Sequence, residues 1–169
     1  MSGIIKTQDI NELEYGTQYR QHILEQYKLY VEMADRISQR RITSNTFFVT
    51  ITSLILTTYG VIRSSLFIPS LCILVAGVLV SFSWYNIVNS YKQINSVKWH
   101  LVHEIERLLP ICPYTYEWLK AGEGKNKKKY NPTSHIEKKL PLIFGLIFLV
   151  LLISNIFIYL KVRLDICLN

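Results

Sequence analysis

The sequence predicts an all-α integral membrane protein, with three transmembrane helices whose long cytoplasmic helical extensions form an antiparallel stalk, and it predicts an oligomer. Three observations carry the prediction. Charged residues are absent between Arg41 and Arg63, between Arg63 and Lys92, and between Lys139 and Lys161. Each gap matches the ~20 apolar residues a helix needs to cross ~30 Å of hydrocarbon. Neither Gly nor Pro occurs between Gly16 and Gly60, so one helix can run from a polar segment into the first gap. Outside the gaps, apolar residues recur at spacings of three and four, the period of a buried helix face.

The gaps place spans near 43–62, 66–88 and 140–160. They divide the chain into an N-terminal amphipathic helix (1–41), a transmembrane hairpin (42–91), a middle segment of helix, short helix and basic loop (92–139), and a third span with a short tail (140–169). Orientation follows from Lys and Arg, which resist translocation. Arg36, Arg40 and Arg41 precede the first span, and Lys92, Lys98, Lys125, Lys127, Lys128, Lys129, Lys138 and Lys139 lie between the second and third. The N-terminus and the middle segment are therefore expected on the cytoplasmic side and the tail on the far side, although the tail carries Lys161 and Arg163. The first forty residues are too polar for the apolar core of a cleavable signal.

Each element has a local signature. In the N-terminal helix Ile23, Tyr27, Tyr30, Ala34 and Ile37 form a heptad seam that continues as Phe48, Ile51 and Ile55. Past the second span, Ile87, Tyr91, Ile94, Leu101, Ile105 and Leu108 line one face, flanked by Val88, Val102 and Leu109, with Lys98 interrupting. That helix is expected to stop about Leu109, because the residue before Pro110 avoids helical backbone. Two antiparallel helices joined by a short turn and carrying apolar stripes are expected to pack together. "YTYEWLKAGEG" predicts a short helix closed by Gly122. Ser134 followed by Glu137 reads as a capping box, and Pro141 suits a fresh start at the third span. Trp84, Tyr85 and Trp118 are aromatics suited to the water boundary.

The first span poses the functional question. Thr43, Thr46, Thr50, Ser53 and Thr57, with Gly60, share one helix face. The same register backwards gives His22, Glu25, Leu29, Glu32, Arg36 and Gln39, so a polar face broken by Leu29 runs opposite the apolar seam. It either packs against another helix, its hydroxyls bonded to carbonyls four residues back, or meets water in a path lined by several copies. Gly77 and Ser81 form a small-xxx-small pair in the second span, and Ser154 and Asn155 are the polar residues of the third.

No enzymatic motif is present: no Gly-rich phosphate loop, nucleophile elbow or zinc-spaced Cys pattern. His100 faces Glu104 and His103 faces Arg107, so with Glu106 they do not converge on a metal. Cys72, Cys112 and Cys167 fall in three compartments, which argues against a disulfide. No catalytic residue, cofactor or metal is expected. The net charge of +7 reads as topology and attraction to phospholipid headgroups, with the Lys125–Lys129 loop, Lys138 and Lys139 near the membrane surface and no nucleic acid bound.

The stretches "EYGTQYRQHILEQYKLYVEMADRISQRRITSNTFF", "SYKQINSVKWHLVHEIERLLPICPYTYEW" and "YNPTSHIEKKLPLIF" resemble the RipA family of small, octameric bacterial inner-membrane proteins. The layout is also similar to SLATT-type membrane effectors. The resemblance implies a homo-octamer in a bacterial inner membrane. Eight helices of ~10 Å diameter in a closed ring leave a hole on the order of 16 Å across, far too wide for an ion filter. Two functions are then in view. One is a channel or membrane-perturbing effector that assembles and senses a cue through its cytoplasmic helices. The other is a non-conducting scaffold that recruits a soluble cytoplasmic partner, with Tyr27, Tyr30, Trp99 and Trp118 as candidate contacts, or that organises lipid.

Overall fold

A backbone in hydrocarbon has to satisfy its own polar groups, and a helix does so within one segment. The structure, a computed structural model, describes residues 12–64, 66–123 and 134–168, apart from the side chains of residues 134, 135 and 166–168. Among the described residues every regular element is helical: α1 (Glu12–Tyr15), α2 (Tyr19–Ile62), α3 (Phe67–Glu106), α4 (Pro113–Lys120), α5 (Ser134–Glu137) and α6 (Lys139–Leu168). Three of them, α2, α3 and α6, are long and apolar enough to cross a membrane. The 44 residues of α2 are uninterrupted, as the absence of Gly and Pro predicts. Contacts divide the chain into two units, one of residues 12–40 and 91–123, the other of 41–90 and 134–168.

The second unit joins parts of α2 and α3 to α5 and α6. Ascending residues of α3 meet descending residues of α6, so the two are antiparallel. Asn155 Nδ2 donates to Ser70 Oγ at 2.9 Å, Phe67 stacks on Tyr159 with ring centroids 4.0 Å apart, and Lys138 Nζ reaches Asn89 Oδ1 at 2.5 Å. A Cβ on Gly77 would stand 2.6 Å from Phe148 Cδ1, and one on Gly145 would stand 3.5 Å from Ser81 Cβ. The small pair in the second span is thus used within the chain, as the groove that admits Phe148. Tyr59, Leu74 and Phe148 form the buried cluster, with Ile55, Leu56, Ile73 and Phe144 packed around it.

Trp84, expected near the water boundary, is turned into the protein. It is fully buried, its ring lies parallel to Phe48 at 5.7 Å, and its indole N–H donates to Asn45 Oδ1 at 2.9 Å. The polar tip that would seek water finds an amide instead. Helix α6 carries on through Lys161 and Arg163 of the expected tail to Leu168.

In the first unit, α2 meets α3 where the Tyr27 phenol donates to Glu106 and the Lys98 ammonium lies over the Tyr30 ring, and Ala34, Val102 and Ile105 are buried. Helix α3 ends at Glu106, three residues before the expected stop. The reason is a tighter turn, in which the N–H groups of Leu108 and Leu109 bond three residues back to Ile105 and Glu106. Helix α4 closes as predicted on Gly122, which has φ +74°. Its N–H reaches the Leu119 carbonyl and that of Glu123 reaches Trp118, both at 3.0 Å, the paired bonds of a Schellman motif.

Candidate functional site

On α2 of the second unit, Thr43, Thr46, Thr50, Ser53, Thr57 and Gly60 are all exposed. The opposite side, with Phe48, Thr52, Ile55 and Tyr59, is the one turned toward α3 and α6. The hydroxyl face therefore has no helix of its own unit against it. Thr46, Thr50 and Thr57 each donate to the carbonyl four residues back, at 3.2, 3.0 and 2.9 Å. That bond uses the only proton of each hydroxyl and leaves the oxygen able to accept. Thr58, off the stripe, does the same, and the buried Thr52 bonds to both Phe48 and Val49.

Polar pairs lie inside the unit among the described residues. The Ser70 hydroxyl accepts from Asn155 and donates to the Phe67 carbonyl at 2.7 Å. Arg41 Nε lies 3.2 Å from Glu137 Oε2, with both side chains largely buried. Glu137 belongs to the expected capping box. Its carboxylate faces Arg41, while the Ser134 side chain lies outside the described residues.

The polar centre of the first unit is Glu106, whose surroundings the sequence did not disclose. It is completely buried. Its carboxylate accepts from the Tyr114 N–H and the Thr115 N–H, both at 2.9 Å, from the Thr115 hydroxyl at 2.7 Å and from the Tyr27 phenol at 3.1 Å. The two amides are unpaired donors of the first turn of α4, whose own N-cap residue, Cys112, supplies no side-chain bond. Glu106 thus caps a helix that starts seven residues later and places a negative charge at its positive end. Burial pushes the carboxyl up, but the bonds from Thr115, Tyr114 and Tyr27 to its charged form outweigh it and hold it below the ordinary value. Burial, and then the bond and charge of Glu106, push the Tyr27 phenol up. His103, set aside as a ligand, bonds to Thr115 Oγ1 at 3.1 Å, and no cluster able to hold a metal occurs among the described residues.

The seam residues take different places. Ile23, Tyr27, Tyr30 and Ile37 are half-buried and Ala34 is buried. On α3, Tyr91 and Leu101 are half-buried and Ile105 is buried, whereas Ile94, and Leu108 in the turn after the helix, are 46% and 53% exposed. The row of α3 that turns inward is offset by one residue, to Asn95, Val102 and Leu109 beside Lys98 and Glu106. Val102 and Leu109 are the residues expected to flank the apolar face; what an apolar pattern does not place is the polar residues beside them, of which the Lys98 ammonium lies 5.6 Å over the Tyr30 ring. Lys138 bonds to Asn89, Lys139 is exposed at the start of α6, and Lys125, Lys127, Lys128 and Lys129 lie outside the described residues.

Neither the curated proteins nor the solved structures contain a match to this chain. A family model does match, over residues 24–157, from the seam of α2 to the second half of α6. That range takes in all three long apolar helices and the Glu106 cap. The chain belongs to the octameric membrane protein family, 8xMP.

Proposed function

We propose that eight copies enclose a water-filled path whose wall includes the hydroxyl face of α2, and that the protein acts as a channel or membrane-perturbing effector in a bacterial inner membrane. The observation that carries this reading is the exposure of Thr43, Thr46, Thr50, Ser53, Thr57 and Gly60 on the side of α2 away from its own neighbours. Hydroxyls whose protons are engaged with the backbone turn acceptors outward, a surface suited to water and to cations. The clustering of Lys and Arg supports an N-terminus and a middle segment on the cytoplasmic side. There the first unit would assemble the ring and receive a cue. The reading assigns no reaction, cofactor or catalytic residue. A hole on the order of 16 Å, the size eight ~10 Å helices leave, passes large solutes unless lipid or another helix narrows it.

A second reading rests on the same bonds. Back-bonded threonines need no other partner and suit close helix contact, so the octamer can be a non-conducting scaffold that recruits a soluble partner or organises lipid. Its candidate recruiting surface is α4, where Tyr116, Trp118 and Leu119 are exposed. Flux of ions and of small dyes from liposomes, with and without cell extract, separates the two. A pore releases them above the rate of empty vesicles. An octamer that leaks no faster, and that co-purifies with a soluble protein at fixed ratio, is a scaffold.

A further inference from the structure

In the first unit, α3 and the turn after it carry two parallel rows, one residue apart. The row Asn95, Val102, Leu109 turns inward within the protomer. The row Ile94, Leu101, Leu108, also spaced by seven, does not: Ile94 and Leu108 are exposed and Leu101 is half-buried. Val97, 55% exposed, lies on the same face one turn from Ile94. Repeats of seven with intervening apolar positions mark a helix that packs against a helix, and here the protomer leaves that packing unmade. Charged residues from Lys92 to Arg107 surround the row, which places it beyond the charge-free stretches, where acyl chains do not cover it. An apolar strip facing water is a contact surface.

The octamer states what the partner is. Copies whose topology is set by the same charges share one orientation in the membrane, which leaves rotation about the membrane normal as the symmetry that relates them. Such a ring is closed by head-to-tail contacts, each copy offering two different surfaces. We propose that Ile94, Val97 and Leu101 of α3, with Leu108 in the turn that follows it, form one of these two surfaces and are covered by the first unit of the neighbouring copy. A shallow apolar groove of about 570 Å³ at Ile111, Tyr116 and Leu119 extends the same contact past the end of α3. Helix α4, tied to Glu106 by three bonds, is held still enough to take part. This assignment is independent of whether the octamer conducts.

Two measurements on the full-length protein test it. In native mass spectrometry from detergent, the double variant Ile94→Glu, Val97→Glu is expected to lose the octamer mass and appear as smaller species, with helix content retained. An octamer of undiminished abundance overturns the proposal. The second measurement does not depend on a disruptive change. In a background with Cys72, Cys112 and Cys167 replaced by alanine, a nitroxide at Val97→Cys is compared with one at Ser96→Cys, an exposed position on a third face of the helix. Immobilisation at 97 alone, released when the octamer is dissociated, is the expected result. Equal mobility at the two sites overturns the proposal, and so does broadening at 97 by oxygen dissolved in lipid, which would assign the strip to the bilayer surface.

Discussion

Glu106 holds Thr115 twice, through the backbone N–H at 2.9 Å and the hydroxyl at 2.7 Å. One carboxylate at the end of α3 therefore fixes the start of α4, and its removal strands two amides, the Thr115 hydroxyl and the Tyr27 phenol. Glu106→Ala is expected to cost about 2–4 kcal/mol, because buried donors left unpaired lose about 1–3 kcal/mol each and some regain water. Chemical denaturation followed by Trp99 fluorescence reads the loss, and hydrogen exchange should show the α4 amides opening first.

The same carboxyl sets an acid limit. Its value in the folded protein lies below 4.5, the value taken for the unfolded chain, so its contribution is complete above pH 4.5 and is lost as pH falls through the folded value. The Tyr27 phenol works in the other direction. It is raised from 10.0, so its contribution is complete below pH 10 and declines as the medium becomes more alkaline. The midpoint of unfolding is expected to be level across about pH 5–8 and to fall on the acid side. Glu106→Gln should flatten the acid limb, and a limb unchanged in that variant would assign it to other carboxyls.

Gly77 gives a steric prediction. A methyl group there meets the Phe148 ring at 2.6 Å, too close for any real contact, and the ring is fully buried. Gly77→Ala is expected to destabilise the detergent-solubilised protein by about 1–3 kcal/mol. Phe148→Leu in the same chain should recover part of that loss. Additive effects in a double-mutant cycle would mean that the two sites do not share the space.

The polar pair between α3 and α6 is worth less than its place in the apolar helices suggests. Without Asn155, the Ser70 hydroxyl still donates to the Phe67 carbonyl, so no donor is stranded on α3. Asn155→Leu is expected to cost about 0.5–1.5 kcal/mol, the range of single hydrogen bonds between membrane helices, read as a small drop in melting temperature.

Much of this architecture is legible in the chain, for reasons that act locally. Three charge-free runs set the three long apolar helices, the absence of Gly and Pro sets the continuity of α2, and Gly122 sets the end of α4. What could not be read depends on partners distant in sequence. The burial of Trp84 depends on Asn45, 39 positions earlier, which takes its N–H. Glu106 looks like one of several charges on a helix surface until Tyr27 and Thr115 enclose it. Val102 and Leu109 were expected only to flank the apolar face; that their side turns inward could not be read, because Asn95, Lys98 and Glu106 stand beside them. The hydroxyl stripe was plain from spacing alone, but only coordinates could say that α3 and α6 turn their backs to it.

The central claim is that this stripe is wet in the assembled octamer. Cysteine substitutions along α2, in the background lacking native thiols and reconstituted in liposomes, test it through the rate of reaction with a charged, membrane-impermeant thiol reagent. The account predicts fast reaction at Thr46→Cys, Thr50→Cys, Ser53→Cys and Thr57→Cys and slow reaction at Phe48→Cys, Thr52→Cys and Ile55→Cys. Uniformly slow reaction along the helix, or fast reaction only near its ends, would contradict it.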